Sequence, residues 1–211
     1  MEFEGVTFSL DEDALIVRSD EPLTMLSSAV VGGGLTRARF IINRHVSKDY
    51  DQLDPAADLR SFARQRGIDE AFVGLMTAVY MHNAQFHKLQ AGAVEVGLAL
   101  TAGYSNKVSA GITPPADLRP GTINLILFVQ AQLSPAAMVN AIMTATEAKT
   151  ATLQAWPLYT ADGNIATGTS TDAVVVACTG RGPRLPYAGP ATPVGAAIAR
   201  LVRIGIDLTR P

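Results

Sequence analysis

The run Ala173–Cys178 consists of six apolar residues, three of them valine, and it constrains the fold more than any other segment. A short apolar run rich in β-branched residues is typical of a strand covered on both faces. Three hydroxyl side chains and a carboxylate precede it directly at 169–172. Polar groups at the mouth of a buried strand indicate a binding or catalytic site, although hydroxyls before a strand can also satisfy the backbone of a turn.

Strand-like and helix-like segments alternate along the chain. The predicted strands are 3–10 and 14–18 as a hairpin, an apolar segment at 23–31, and then 38–46, 94–100, 123–129 and 173–178. The predicted helices are 55–66, 135–156 and 194–206, and the segment 71–80 fits either type. Interleaved elements without a linker predict a mixed α/β protein. We expect a single domain over 1–211, with a central, largely buried sheet flanked by helices.

Composition narrows the function classes. The 211 residues are 48% hydrophobic and only 17% charged, so the chain can bury a large core. A net charge of −2 gives no electrostatic reason to bind nucleic acid. The lone Cys178 lies in an apolar run, which predicts a core thiol and fits a reducing compartment.

The amino terminus and the apolar runs bear on cellular location. Residues 1–4 are acidic in character and are not followed by the apolar stretch of a signal peptide. Apolar runs do not approach the length of about 18 residues that a membrane-spanning helix needs. We therefore expect a cytoplasmic protein without a membrane partner, and the oligomeric state stays open.

Standard catalytic signatures are missing. The glycine cluster 32–34 would need a further glycine at Arg37 to match a dinucleotide fingerprint. His82 and His87 are five positions apart, whereas the histidines of the common zinc protease motif are four apart. The sequence therefore predicts no metal ligands and no certain cofactor.

Polar residues near strand ends are the remaining candidates. Asn43 and His45 alternate along a predicted strand and should share one face, where His45 suits acid–base chemistry near neutral pH or a purely structural hydrogen bond. Gly103 permits close backbone approach and Asn106 offers an amide, although turn formation also explains both. Asn124 lies inside an apolar strand and needs a hydrogen-bond partner.

Two charges interrupt the helix predicted at 135–156, which is apolar or small over most of its circumference. Glu147 and Lys149 are two positions apart, which places them about 200° apart around the axis, so they cannot both face one site. We slightly favour Glu147 as the site residue.

Four motifs in order resemble those of the adenosylcobinamide amidohydrolase family: Thr101-Ala-Gly103 with Asn106, Gly121-Thr-Ile-Asn124, Thr146-Glu-Ala-Lys149 and Thr167-Gly-Thr-Ser-Thr-Asp172. The resemblance implies hydrolysis of the amide that joins the aminopropanol arm to the corrin ring, giving adenosylcobyric acid for cobalamin salvage. It also implies a corrinoid small-molecule substrate, which itself carries cobalt.

Amide hydrolysis requires an activated nucleophile, and the segment 168–172 supplies candidates. Thr169, Thr171 or a water held there is the expected nucleophile, with Asp172 or Glu147 as the base. In an extended chain Asp172 points away from both threonines, so this arrangement requires a turn at 168–171.

Oxyanion stabilisation and proton donation need further groups. Backbone amides near Gly168 or the side chain of Asn106 are expected to stabilise the oxyanion, and His45 or Lys149 to protonate the leaving amine. The substrate-binding set is Asn43, Asn106, Asn124, Lys149, Gly103 and Gly168. Two other functions fit the same residues: corrinoid binding without turnover, and hydrolysis of a different amide.

Overall fold

A computed structural model describes residues 2–115 and 122–211, and its strands and helices alternate as predicted. The strands are β1 (Val6–Leu10), β2 (Ala14–Ser27), β3 (Gly34–His45), β4 (Phe72–Thr77), β5 (Gln85–Ala91), β6 (Val94–Ala102), β7 (Lys107–Val108), β8 (Ile123–Val129), β9 (Gln132–Leu133), β10 (Gly168–Thr169), β11 (Ala173–Cys178) and β12 (Arg184–Leu185). The helices are α1 (Pro55–Gln65), α2 (Pro135–Gln154) and α3 (Pro193–Asp207).

Eight strands form one mixed sheet with the order β4-β3-β2-β11-β8-β6-β5, and β1 pairs with β2. The pairs β3–β4 and β8–β11 are parallel, and the other pairs in this sheet are antiparallel. The mixed α/β class and the large sheet flanked by helices are thus confirmed.

The sheet folds over on itself, so that its two halves face each other. Ile41 of β3 shares a core cluster with Phe128 of β8. The next residue on β3, Ile42, instead packs among residues of α1, whereas Leu127 on β8 packs among residues of α2 and α3. Because successive side chains on a strand point to opposite faces, the layers run α1, sheet, sheet, then α2 with α3.

Local signals define the helix starts. Asp54, Ser134 and Thr192 each precede a proline at the first turn, and each side chain accepts a hydrogen bond from a backbone N–H of that turn. Proline costs nothing at this position because its missing N–H would have no helical partner. Two of these caps were predicted, and the helix ends agree within two residues.

Some strand predictions need correction. Strand β2 is continuous over Ala14–Ser27 and is not split into separate segments at 14–18 and 23–31. Its pairing with β3 shifts register between Arg18 and Leu23, an irregularity that accommodates Pro22. The ambiguous segment 71–80 contains a strand, Phe72–Thr77, and the edge strand Gln85–Ala91 was not predicted.

We expect His87 on β5 to make the stability of the protein sensitive to mild acid. Its Nε2 is buried and has no hydrogen-bond partner among the described residues, and burial lowers the pKa of the ring. Below about pH 6.5 the His87 ring is protonated in the unfolded chain. Burial disfavours that proton in the native protein, so the free energy of unfolding decreases as the pH falls. We expect His87→Leu to reduce the drop in Tm between pH 7.5 and 5.5. His82→Leu, at an exposed position, is the control, and an unchanged drop in His87→Leu would contradict the expectation.

Candidate active site

The carboxylate of Asp172 is the centre of a buried polar cluster. Its Oδ1 accepts hydrogen bonds from Thr169 Oγ1 at 2.5 Å and from the Ile123 N–H at 3.1 Å. Its Oδ2 accepts from the Thr169 N–H at 3.2 Å and forms an ion pair with Lys149 Nζ. One carboxylate therefore orients both a hydroxyl and an ammonium group.

A tight turn brings Thr169 back onto Asp172. Strand β10 ends at Thr169, residues 170 and 171 form the turn, and β11 begins at Ala173. The turn that the mechanism required at 168–171 is thus present. Asn106 holds it in place, because its side-chain Nδ2 donates to Ser170 Oγ at 2.7 Å and its backbone carbonyl oxygen accepts from the Ser170 N–H at 3.2 Å.

Gly168 allows the cluster to close. A Cβ at this position would lie 2.5 Å from Asp172 Oδ2 and 2.7 Å from Lys149 Nζ, so a side chain would push the two charged groups apart. We expect Gly168→Ala to lower kcat by about 100-fold, the scale of loss that misplaced reacting groups cause. Gly189→Ala is the matched control, because its added Cβ would meet no atom of the described residues within 4 Å. Equal activity of the two variants would show that the close approach is dispensable.

Helix α2 contributes Lys149 rather than Glu147. Lys149 is only 8% exposed and reaches Asp172, whereas Glu147 lies on the exposed face of the helix. The angular separation of the two charges holds, but the slight preference for Glu147 is not supported by this placement.

A second polar network lies on the other face of the sheet, between its two halves. Asn43 on β3 donates from Nδ2 to Thr101 Oγ1 at 3.0 Å and accepts at Oδ1 from Asn124 Nδ2 at 2.8 Å. Thr122 Oγ1 lies 2.6 Å from the carbonyl oxygen of Thr171 and 3.2 Å from Asn124 Oδ1. The hydrogen bonds of this network connect the two sheet layers, and the contact of Thr122 with Thr171 extends the network to the turn before Asp172.

A cavity of about 420 Å³ opens between the layers beside this network. Thr122, Asn124 and Thr171 line one side, and Leu75 to Thr77 of β4 line another. The segment 50–52 contributes to its wall, where Tyr50 donates to Asp58 Oδ2 at 2.9 Å. Burial, together with this hydrogen bond, raises the pKa of Tyr50 to about 12, so its hydroxyl stays protonated near neutral pH. The arrangement places polar groups in a largely apolar cleft, as in many small-molecule sites.

The family model for adenosylcobinamide amidohydrolase matches residues 3–208. The chain belongs to this family. The adenosylcobinamide amidohydrolase of Methanosarcina mazei is 33% identical over 211 residues, which cover 94% of each chain. That of Halobacterium salinarum is 42% identical over 127 residues, covering 57% of this chain and 52% of the relative. Family membership confirms the predicted amidohydrolase.

Two solved structures share the fold. A protein from Pyrococcus horikoshii OT3 superposes with a TM-score of 0.55 at 10% identity, covering 97% of this chain and 82% of the other. A beta-aminopeptidase from a Burkholderia species has a TM-score of 0.50 at 13% identity, covering 94% and 78%. At such low identities the likeness describes the fold alone.

His45 of this amidohydrolase family member lies outside the Asp172 cluster. It shares a strand with Asn43 and stands two positions further on, as expected for one face. Its Nδ1 donates to the carbonyl oxygen of Val79 at 3.0 Å, and its ring lies 5.1 Å from that of Tyr80. Gly103 lies close by, because a Cβ there would be 2.9 Å from Val79 Cγ2. This hydrogen bond orients the imidazole ring of His45.

Thr101, Thr122 and Tyr50 belong to the network or to the cavity wall but were not predicted as site residues, although the two threonines stand in the family motifs. Thr122 and Thr101 could have been found by period-two alternation from Asn124 and from the buried strand β6. Among the residues described, no cluster of three or more His, Cys, Asp or Glu side chains could hold a metal ion. The same part of the chain has no helix that is long and apolar enough to cross a membrane.

Proposed function

We propose that this protein hydrolyses the amide joining the aminopropanol arm to the corrin ring of adenosylcobinamide, giving adenosylcobyric acid for cobalamin salvage. Membership of the family supports the substrate class. The observation that carries the chemistry is the Asp172 carboxylate, which holds the Thr169 hydroxyl and the Lys149 ammonium together just before the start of β11.

In the proposed first step, Thr169 Oγ1 attacks the carbonyl carbon of the arm and its proton passes to Asp172. The C–N bond then breaks, and Lys149 Nζ donates a proton to the departing amine. An ester between Thr169 and the corrin carboxyl group remains, and water hydrolyses it to the free acid. A water molecule activated at the same carboxylate would give the same products in one stage.

The cavity fits the arm but not the whole substrate. Its volume of about 420 Å³ suits a small ligand, whereas a corrin ring with its adenosyl group is much larger. Among the described residues Thr169, Asp172 and Lys149 do not line this cavity, but Thr171 of the same turn does. The arm is therefore proposed to enter past Thr171 at the edge of the sheet, where its amide can reach the turn 168–172, while the flat ring stays at the rim.

The test is incubation of the purified protein with adenosylcobinamide, with and without a chelator, followed by mass spectrometry. Adenosylcobyric acid and free aminopropanol in both samples are the expected result. Binding without product would instead support a corrinoid-binding protein, and turnover of simpler amides alone would support a different amide substrate. Product lost only with chelator would require a metal that the proposed mechanism does not include.

A further inference from the structure

The orientation of the Asn124 side chain is determined by its neighbours. Its Nδ2 group donates one hydrogen to Asn43 Oδ1 at 2.8 Å and the other to the carbonyl oxygen of Met76 at 2.9 Å. A flipped amide would place its oxygen against these two acceptors. The residue is only 1% exposed, so its Oδ1 has a fixed direction.

Thr122 does not donate a strong hydrogen bond to Asn124 Oδ1. A hydroxyl group has one hydrogen, and Thr122 Oγ1 lies 2.6 Å from the Thr171 carbonyl oxygen but 3.2 Å from Asn124 Oδ1. The Thr122 hydroxyl therefore donates its hydrogen to the Thr171 carbonyl oxygen, which is the closer acceptor. Among the described residues Asn124 Oδ1 therefore has only this long contact with Thr122, and it remains a buried acceptor without a strong donor in a residue that lines the cavity.

We propose that Asn124 Oδ1 accepts a hydrogen bond from the N–H of a secondary amide in the cavity, and that this contact selects amides over ligands without a donor. Leaving a buried acceptor unsatisfied is costly, so a ketone, an ester, a tertiary amide or a carboxylate should bind less well. The contact would also favour release of a carboxylate product, which places two more acceptors beside Oδ1.

The inference rests on the proposed function, because it assigns the amide N–H of the substrate arm as the donor. Asn124 acts as a specificity-determining residue, and Asn43 as a positioning residue that keeps the amide from flipping. The experiment therefore uses fragments that lack the corrin ring, so that its outcome is independent of adenosylcobinamide turnover.

The fragments are N-propylacetamide and its ketone isostere hexan-2-one, in which CH₂ replaces the N–H. NMR titration at millimolar concentrations gives both affinities and follows the side-chain amide resonance of Asn124. We expect the wild-type protein to prefer the amide by about three- to tenfold and Asn124→Leu to prefer the ketone. Equal affinities in the wild type, or a preference unchanged by Asn124→Leu, would overturn the proposal.

Two further variants separate this role from a merely structural one. Thr122→Val should keep the amide preference, because the hydrogen of Thr122 already serves the Thr171 carbonyl; loss of the preference in this variant would assign the recognition to Thr122 instead. Asn43→Leu should weaken the preference by releasing one of the two contacts that orient Asn124. If Asn124→Leu does not fold, Asn43→Leu supplies the test. An unchanged preference for the amide over the ketone in Asn43→Leu would then overturn the proposal.

Discussion

Asp172→Asn is expected to lower kcat/KM for adenosylcobinamide by about 10²- to 10⁴-fold, the usual contribution of a positioned acid–base group. The amide cannot take the proton of Thr169 Oγ1, and it leaves Lys149 without a counter-charge in a site where the lysine side chain is 10% exposed. Steady-state rates and corrinoid binding, measured together, separate lost chemistry from lost affinity.

Stability must be controlled in that experiment, since an uncompensated buried charge costs about 3–5 kcal/mol. The double variant Asp172→Asn with Lys149→Met removes both charges and should regain thermal stability without regaining activity. Full activity in either variant would remove Asp172 from the mechanism. Retained binding with no turnover is the result that the proposed chemistry requires.

Thr169→Val is expected to reduce kcat by at least about 1000-fold, on the scale seen when a nucleophile is removed. Valine matches the shape of threonine but lacks the hydroxyl that donates to Asp172 Oδ1. Thr169→Ser keeps the hydroxyl and should retain much of the activity. Trapping with hydroxylamine would reveal the ester on Thr169, which the wild-type protein should form and the valine variant should not.

Thr171→Val is the matched comparison, because Thr171 belongs to the same turn but lines the cavity. We expect a smaller effect, confined mainly to KM. If kcat fell strongly in Thr171→Val while Thr169→Val kept normal turnover, the nucleophile would be Thr171 and not Thr169. Normal turnover in both variants would favour direct attack by water.

Asn43, Asn124 and Asp172 show which features of the site the alternation of side chains along a strand can predict and which it cannot. Period-two alternation predicts which residues of one strand share a face, so Asn43 and His45 were placed together without a structure. The same rule predicted that Asp172 needs a turn to meet Thr169. It does not reveal that Asn43 bonds Asn124 across 81 positions of the chain, because that contact depends on the sheet folding over on itself.

The sequence by itself determined the local structure of this protein: apolar runs that become buried strands, and a cap followed by proline at the helix starts. The family motifs also predicted its enzymatic class. Only the tertiary structure decided that Lys149, and not Glu147, reaches Asp172. Helix α2 is apolar or small over most of its circumference, so its sequence does not mark the face that packs on the sheet. That choice is made by long-range packing, whereas strands and caps depend on interactions between near neighbours in the chain.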